Sequence, residues 1–162
     1  MSDMSSPKDL LRRSVELARR NVIEVGGRPF GAVLARDGEV LQEAVNESVQ
    51  TGDPTAHAEL MALRKESRAH GPEALKGATV YASGAPCPMC FAAMHLVGIR
   101  EVFYAYSQED GASHGLSTKD VYEELAMPEA ERSIDVKHEP VRVDAEDAPP
   151  LYRLWEQKTG GA

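Results

Sequence analysis

The stretch ATVYASGAPCPMCFAAMHLVGIREVFYAY, residues 78–106, decides the fold of this chain. Residues 78–82 are a short run of strand-forming side chains, and 83–86 (SGAP) form a tight loop. Residues 87–97 are apolar over too great a length for a strand; Gly98 closes them as a helix C-terminus does, and 100–106 (REVFYAY) read as a further strand. The helix begins on Cys87-Pro88-Met89-Cys90, so two thiols three residues apart share one face of its first turn. The positive end of the helix dipole favours their thiolate forms.

The chain upstream supplies the other layers. Ser5-Ser6-Pro7, followed by Leu10, Leu11, Val15, Ala18, Val22 and Ile23, predicts a capped amphipathic helix that stops at Gly26-Gly27. Residues 30–35 and 40–45 are apolar runs about Asp37-Gly38, a dipeptide suited to a tight hairpin. Asp53-Pro54 signals a helix start that puts His57 in the first turn or so; this helix runs through Leu60, Met61 and Leu63 and fades near His70-Gly71-Pro72. Downstream the reading gives a polar loop over 107–118, a helix over 119–126, a strand about Val141 and a last helix over 150–158, with 144–150 as a linker and no internal repeat. The order predicts an α/β fold, a mixed sheet with helices on both faces. His57 and the two cysteines then stand at helix N-termini above one end of the sheet.

At 162 residues and 42% hydrophobic content, one domain spanning 1–162 is expected. The net charge of −8 repels phosphate backbones and speaks against a nucleic acid partner. Residues 1–10 are polar and carry no apolar leader, and no apolar run reaches the length of a membrane span, so a cytoplasmic location without a membrane partner is expected. Two cysteines in such a chain point to metal or redox chemistry rather than a disulfide framework.

His57, Cys87 and Cys90 offer one imidazole and two thiolates, a zinc set that leaves a fourth tetrahedral position open. Glu59 lies two residues past the histidine, a helical spacing that does not share a face, so it addresses substrate and water rather than metal. Two thiolates cancel the charge of zinc, which leaves water less acidified than a three-histidine site would and makes a nearby base matter more. Glu59 can take a proton from water, deliver it to a ring nitrogen and protonate a departing amine, leaving a carbonyl and ammonia. Cys-x-x-Cys alone is also the redox pattern of thioredoxin-like folds; the paired His-x-Glu tips the balance. A closed structural zinc would need a fourth ligand from His70, His95, His114 or His138, none of which stands at a recurrent spacing.

His57-Ala58-Glu59 and Pro86-Cys87-Pro88-Met89-Cys90 together resemble the signature of the zinc-dependent cytidine deaminase superfamily. Within it the likeness is to the bacterial guanine deaminase branch of nucleobase deaminases. It is carried by 27–33 (GRPFGAV), 53–59 (DPTAHAE) and 86–90 (PCPMC), and more loosely by 122–132 (YEELAMPEAER) and 151–155. The resemblance implies a three-layer fold with about five strands, zinc as cofactor, a homodimer and a free nucleobase or related amino-heterocycle as substrate. It further implies that Asn46 hydrogen-bonds the base, Phe30 lines its pocket and the Ala58 amide donates to substrate. The C-terminal segment, 144–162, would be exchanged between subunits and close the pocket, involving Leu116, Tyr152 and Trp155. A turn asparagine, a core phenylalanine and a buried tryptophan anchor are the structural accounts of Asn46, Phe30 and Trp155.

Two departures bear on substrate. Relatives often carry Glu before the Pro-Cys motif, where this chain has Ser83-Gly84-Ala85. Guanine-type enzymes also use an acidic residue after the fourth strand; here that position falls at Ser117 or Thr118, with Asp120 and Asp110 as displaced candidates. Losing that carboxylate removes a charge-assisted hydrogen bond worth about 1.5–3 kcal/mol. A guanine-type purine, cytosine or an aminotriazine therefore stand as substrates. The alternatives are a tRNA adenosine deaminase, a nucleoside deaminase and, from another class, a non-enzymatic zinc module.

Overall fold

The computed structural model describes residues 6–141 and 150–160. Two compact units divide the chain, Met1–Met127 and Pro128–Ala162. The first contains α1 (Pro7–Val25), β1 (Gly31–Arg36), β2 (Glu39–Val45), α2 (Ser48–Thr51), α3 (Ala58–His70), β3 (Thr79–Gly84), α4 (Pro88–Leu96), β4 (Glu101–Tyr106), α5 (Gln108–Ala112) and α6 (Lys119–Ala126). The second contains, among the described residues, α7 (Leu151–Thr159) and a 3-10 turn, Glu129–Glu131.

The sheet has the order β2-β1-β3-β4, antiparallel across β2-β1 and β1-β3 and parallel across β3-β4. Alternation along the strands builds its two faces. Val33, Ala35 and Tyr81 point one way and pack with Leu10 and Leu17 of α1, while Phe103 stacks on Tyr81. Ala32, Leu34, Val80 and Ala82 point the other way, onto Ala62 and Leu63 of α3 and Cys90 and Met94 of α4. Helices therefore cover both faces, and the fold is the expected α/β three-layer arrangement.

The caps explain where α1 starts and stops. Ser6 accepts from the Asp9 amide and the Asp9 carboxylate takes the Ser6 amide, a reciprocal capping box, and Gly26 ends the helix at φ 64°. Asp37 and Gly38 both have positive φ, as the two-residue turn between β1 and β2 requires.

Three expectations are corrected. The sheet has four strands among the described residues rather than about five, and Val141 lies in none; Pro140 beside it lacks the amide a ladder needs. The second predicted helix starts at Ala58, because the Asp53 carboxylate binds the amide and hydroxyl of Thr55 in a local turn instead of opening a helix at Pro54. The loop over 107–118 contains α5, capped by Ser107 and Asp110. Most of the expected 144–150 linker lies outside the described residues.

Gly31 is where α1 meets the sheet. A Cβ there would stand 2.3 Å from the Ser14 carbonyl oxygen and 2.8 Å from the Ala18 nitrogen, both backbone atoms. Gly31→Ala is expected to push α1 off β1 and destabilise the protein by about 1–3 kcal/mol. Thermal unfolding should show Tm lower by roughly 3–10 °C; an unchanged Tm would show that the contact is soft.

Candidate active site

Two helix N-termini meet at the C-terminal end of β3. His57 is the N-cap of α3 and Cys87 the N-cap of α4, with nearly the same extended backbone, φ −71° ψ 150° and φ −72° ψ 163°. β3 runs through Ser83 and Gly84, two residues further than expected, which leaves only Ala85 and Pro86 to turn the chain. The Ser83 hydroxyl accepts the Gly31 amide at 3.0 Å and ties β3 to β1 just below the site.

The His57 Nδ1 lies 3.4 Å from the Cys87 Sγ and 3.6 Å from the Cys90 Sγ. Zinc held at ordinary N and S distances in tetrahedral geometry spaces such ligands by about 3.6 Å. The three donors thus fit a zinc ion, and among the described residues they form the one group of this kind. Of the other histidines, His70 pairs with Glu66 at 3.0 Å, His114 borders a neighbouring hollow, and His95 and His138 are exposed. None of them joins the set.

Glu59 is buried, 7% exposed, with its carboxylate 3.6 Å from the Cys90 Sγ. Burial pushes its carboxyl above the usual range, against a hydrogen bond from its own amide. The hydrogen bond between the sulfurs holds the Cys87 thiol down at about 4 and pushes the buried Cys90 thiol up. Its hydrogen bond with Cys87 raises His57, while the Arg28 charge opposes that. A divalent cation among the three would replace the proton they share.

Arg28, Phe30, Ala85, Leu116 and Thr118 line the pocket beside His57, Glu59 and Cys87. Ala58 is fully buried, and its amide, the first of α3, has no acceptor among the described residues. Asn46 is 1% exposed; Ser48 donates to its Oδ1 through both amide and hydroxyl, and its Nδ2 has no acceptor among the described residues. It is not among the lining residues.

Gln108 engages both hydroxyl candidates. Its Oε1 accepts the Thr118 amide at 2.8 Å and the Ser117 hydroxyl at 3.1 Å, and its Nε2 donates to the Thr118 Oγ1. Both hydroxyls are engaged by this clamp, and of the two residues it is Thr118 that lines the pocket. Asp120 is exposed in the first turn of α6, and Asp110 caps α5; neither lines the metal pocket. Tyr152 and Trp155 lie on α7, exposed within their own unit.

Three residues escaped sequence reasoning. Tyr122 donates to the Pro86 carbonyl at 2.7 Å and so pins the loop beside Cys87 across 36 positions of chain. Asn21, buried, donates to the carbonyls of Arg28 (2.8 Å) and Asn46 (2.9 Å) and accepts from Gln50. Gln108 completes the list. Such long-range partners leave no periodic signal; a polar residue on the apolar face of the first helix was the one hint, at Asn21. Tyr122→Phe is expected to lower zinc affinity about 10-fold by freeing the Pro86 carbonyl. Competition with a chromogenic chelator reads this directly, and unchanged affinity would leave Tyr122 without a role in the loop.

Residues 4–106 match the family described as the cytidine and deoxycytidylate deaminase zinc-binding region. The chain is similar to the guanine deaminase of Bacillus subtilis (strain 168), 40% identical over 124 residues that cover 76% of this chain and 80% of the relative. It is also similar to a tRNA-specific adenosine deaminase of Agrobacterium fabrum, 37% identical over 102 residues, 61% of this chain and 67% of that one. The X-ray structure of guanine deaminase from Bacillus subtilis superposes with a TM-score of 0.79 at 34% identity, covering 93% of each chain.

Proposed function

We infer the function from one premise: the chain belongs to the cytidine and deoxycytidylate deaminase zinc-binding family. It is a hydrolase of C–N bonds, a zinc-dependent deaminase homologous to guanine deaminase, with a small-molecule nucleobase as substrate. The observation that carries the reading is the three-donor set of His57, Cys87 and Cys90 with the buried Glu59 carboxylate beside it.

Bound zinc supplies Lewis acidity and acidifies water for attack on a ring carbon. Glu59 takes the proton from the attacking water and delivers it to the adjacent ring nitrogen; its raised pKa suits a group that must hold that proton near neutral pH. It then takes the second proton, from the hydroxyl now on the ring carbon, and passes it to the exocyclic nitrogen. The C–N bond breaks, the oxygen of water becomes the ring carbonyl, and nitrogen leaves as ammonia. Phe30 offers a face for the ring; the Ala58 amide and the Asn46 Nδ2, buried and without acceptors among the described residues, are the proposed donors for its heteroatoms, although Asn46 does not line the pocket.

A guanine-type purine leads the substrates, with cytosine or an aminotriazine behind it. The tRNA reading has relatives in its favour, but 26 acidic against 18 basic residues oppose a phosphate backbone. We further propose one deaminase domain over 1–162, a cytoplasmic homodimer, and exchange of 144–162 so that Tyr152 and Trp155 close the partner's pocket. Among the described residues no helix is long and apolar enough to cross a membrane.

The test is a mass-spectrometric screen of the zinc-loaded protein against guanine, isoguanine, cytosine, adenine, aminotriazines and their nucleosides. A gain of about one mass unit with release of ammonia is expected for a free base. Turnover confined to adenosine in tRNA would transfer the assignment to the second reading.

A further inference from the structure

We propose that Arg28 is a specificity-determining residue that grips the acceptor edge of the base, the oxo oxygen and neighbouring ring nitrogen of a 2-amino-6-oxopurine. This rests on the nucleobase deaminase reading above.

Arg28 is exposed at the metal pocket, where its charge acts on His57, and its guanidinium makes no hydrogen bond or close ion pair among the described residues. Its backbone is nevertheless held from several sides. The buried Asn21 Nδ2 donates to its carbonyl at 2.8 Å, as does the Phe30 amide at 2.8 Å. Pro29 restricts the backbone that follows. Before it, Gly27 packs so closely that a Cβ would stand 2.5 Å from the Asn21 side-chain Nδ2. A free cationic side chain thus leaves a rigid base, which lowers the ordering cost of a contact made through it.

The remaining rim cannot recognise a polar edge by charge. Phe30, Ala85 and Leu116 are apolar, Thr118 is neutral, and the carboxylate in the pocket, Glu59, is committed to proton transfer. The guanidinium is a fixed fork of donors with no acceptor, and it pairs bidentately with two adjacent acceptors. A 6-oxopurine presents such a pair in O6 and N7, the edge arginine reads in duplex DNA. With the 2-amino group turned to the metal and Glu59, that edge faces outward, toward the mouth. Where a rim carboxylate would hold the N–H side of the base, this chain holds the opposite side with a cation.

The zinc-loaded wild type, Arg28→Ala and Arg28→Lys are compared on guanine, on 7-deazaguanine, which lacks the N7 acceptor, and on 2-aminopurine, which lacks O6. Arg28→Ala is expected to lower kcat/KM for guanine about 10- to 100-fold, mainly through KM, and to change it less than about 3-fold on the other two. Arg28→Lys, which keeps the charge but not the fork, should recover only part of the loss. Equal losses on all three bases, or none on guanine, overturn the assignment. Calorimetric binding of guanine separates this from the reaction itself: weaker binding to Arg28→Ala supports Arg28 even where no base releases ammonia, an outcome that would sink the deaminase reading alone. Guanosine monophosphate binding tighter than guanine, with that advantage lost in Arg28→Ala, assigns the guanidinium to a phosphate and overturns the proposal.

Discussion

Glu59→Gln is expected to lower kcat by about 10²- to 10⁴-fold, the usual contribution of a positioned acid–base group, while zinc stays bound. The amide matches the carboxylate in size, and Glu59 lies outside the three-donor set, so neither packing nor metal affinity should suffer. Stability should hold as well. Burial already disfavours the charged form of this carboxyl, so a neutral amide in the same cavity removes a desolvation cost rather than adding one. The loss is confined to proton transfer, and KM should move much less than kcat. Metal analysis with steady-state ammonia release checks both halves; wild-type turnover with zinc bound would remove Glu59 from the mechanism.

Cys87→Ala is expected to abolish stoichiometric zinc binding and bring ammonia release down to background. Two of the three donors remain, but the ligand that faces both the His57 imidazole and the Cys90 sulfur is gone. The fold should survive. Cys87 only borders a core built on the sheet, and helices α3 and α4 pack there through Ala62, Leu63 and Met94. Circular dichroism before and after chelation of the wild type makes the contrast sharp. A catalytic site predicts lost activity with retained helicity, whereas a metal that holds the fold together predicts unfolding.

Much of the site was legible because its chemistry sits in short local patterns. His57-x-Glu59 and Cys87-x-x-Cys90 announce their donors by spacing alone, and Gly98 and the Asp37-Gly38 turn announce where helix and strands end. The start of α3 was misplaced by four residues because Asp53 satisfies a turn as readily as a helix, and the winner depends on the neighbouring Thr55. The substrate side resisted for another reason. Ser117 and Thr118 are adjacent and chemically alike, and nothing in their order along the chain shows that Gln108 holds both hydroxyls while only Thr118 reaches the pocket.

By itself the sequence determined the reaction and the metal. The ligand types, their spacing and their protonation chemistry are local properties that three or four residues carry. The tertiary structure decided what surrounds them: the N-caps of α3 and α4 that bring Nδ1 and two sulfurs to 3.4 and 3.6 Å, the Tyr122 strut under Pro86, and the Asn21 anchor on the Arg28 backbone beside the pocket. Those contacts join segments up to 36 positions apart. They come into being only when the packing of the sheet closes the distance, because a hydrogen bond depends on position in space and not on order along the chain.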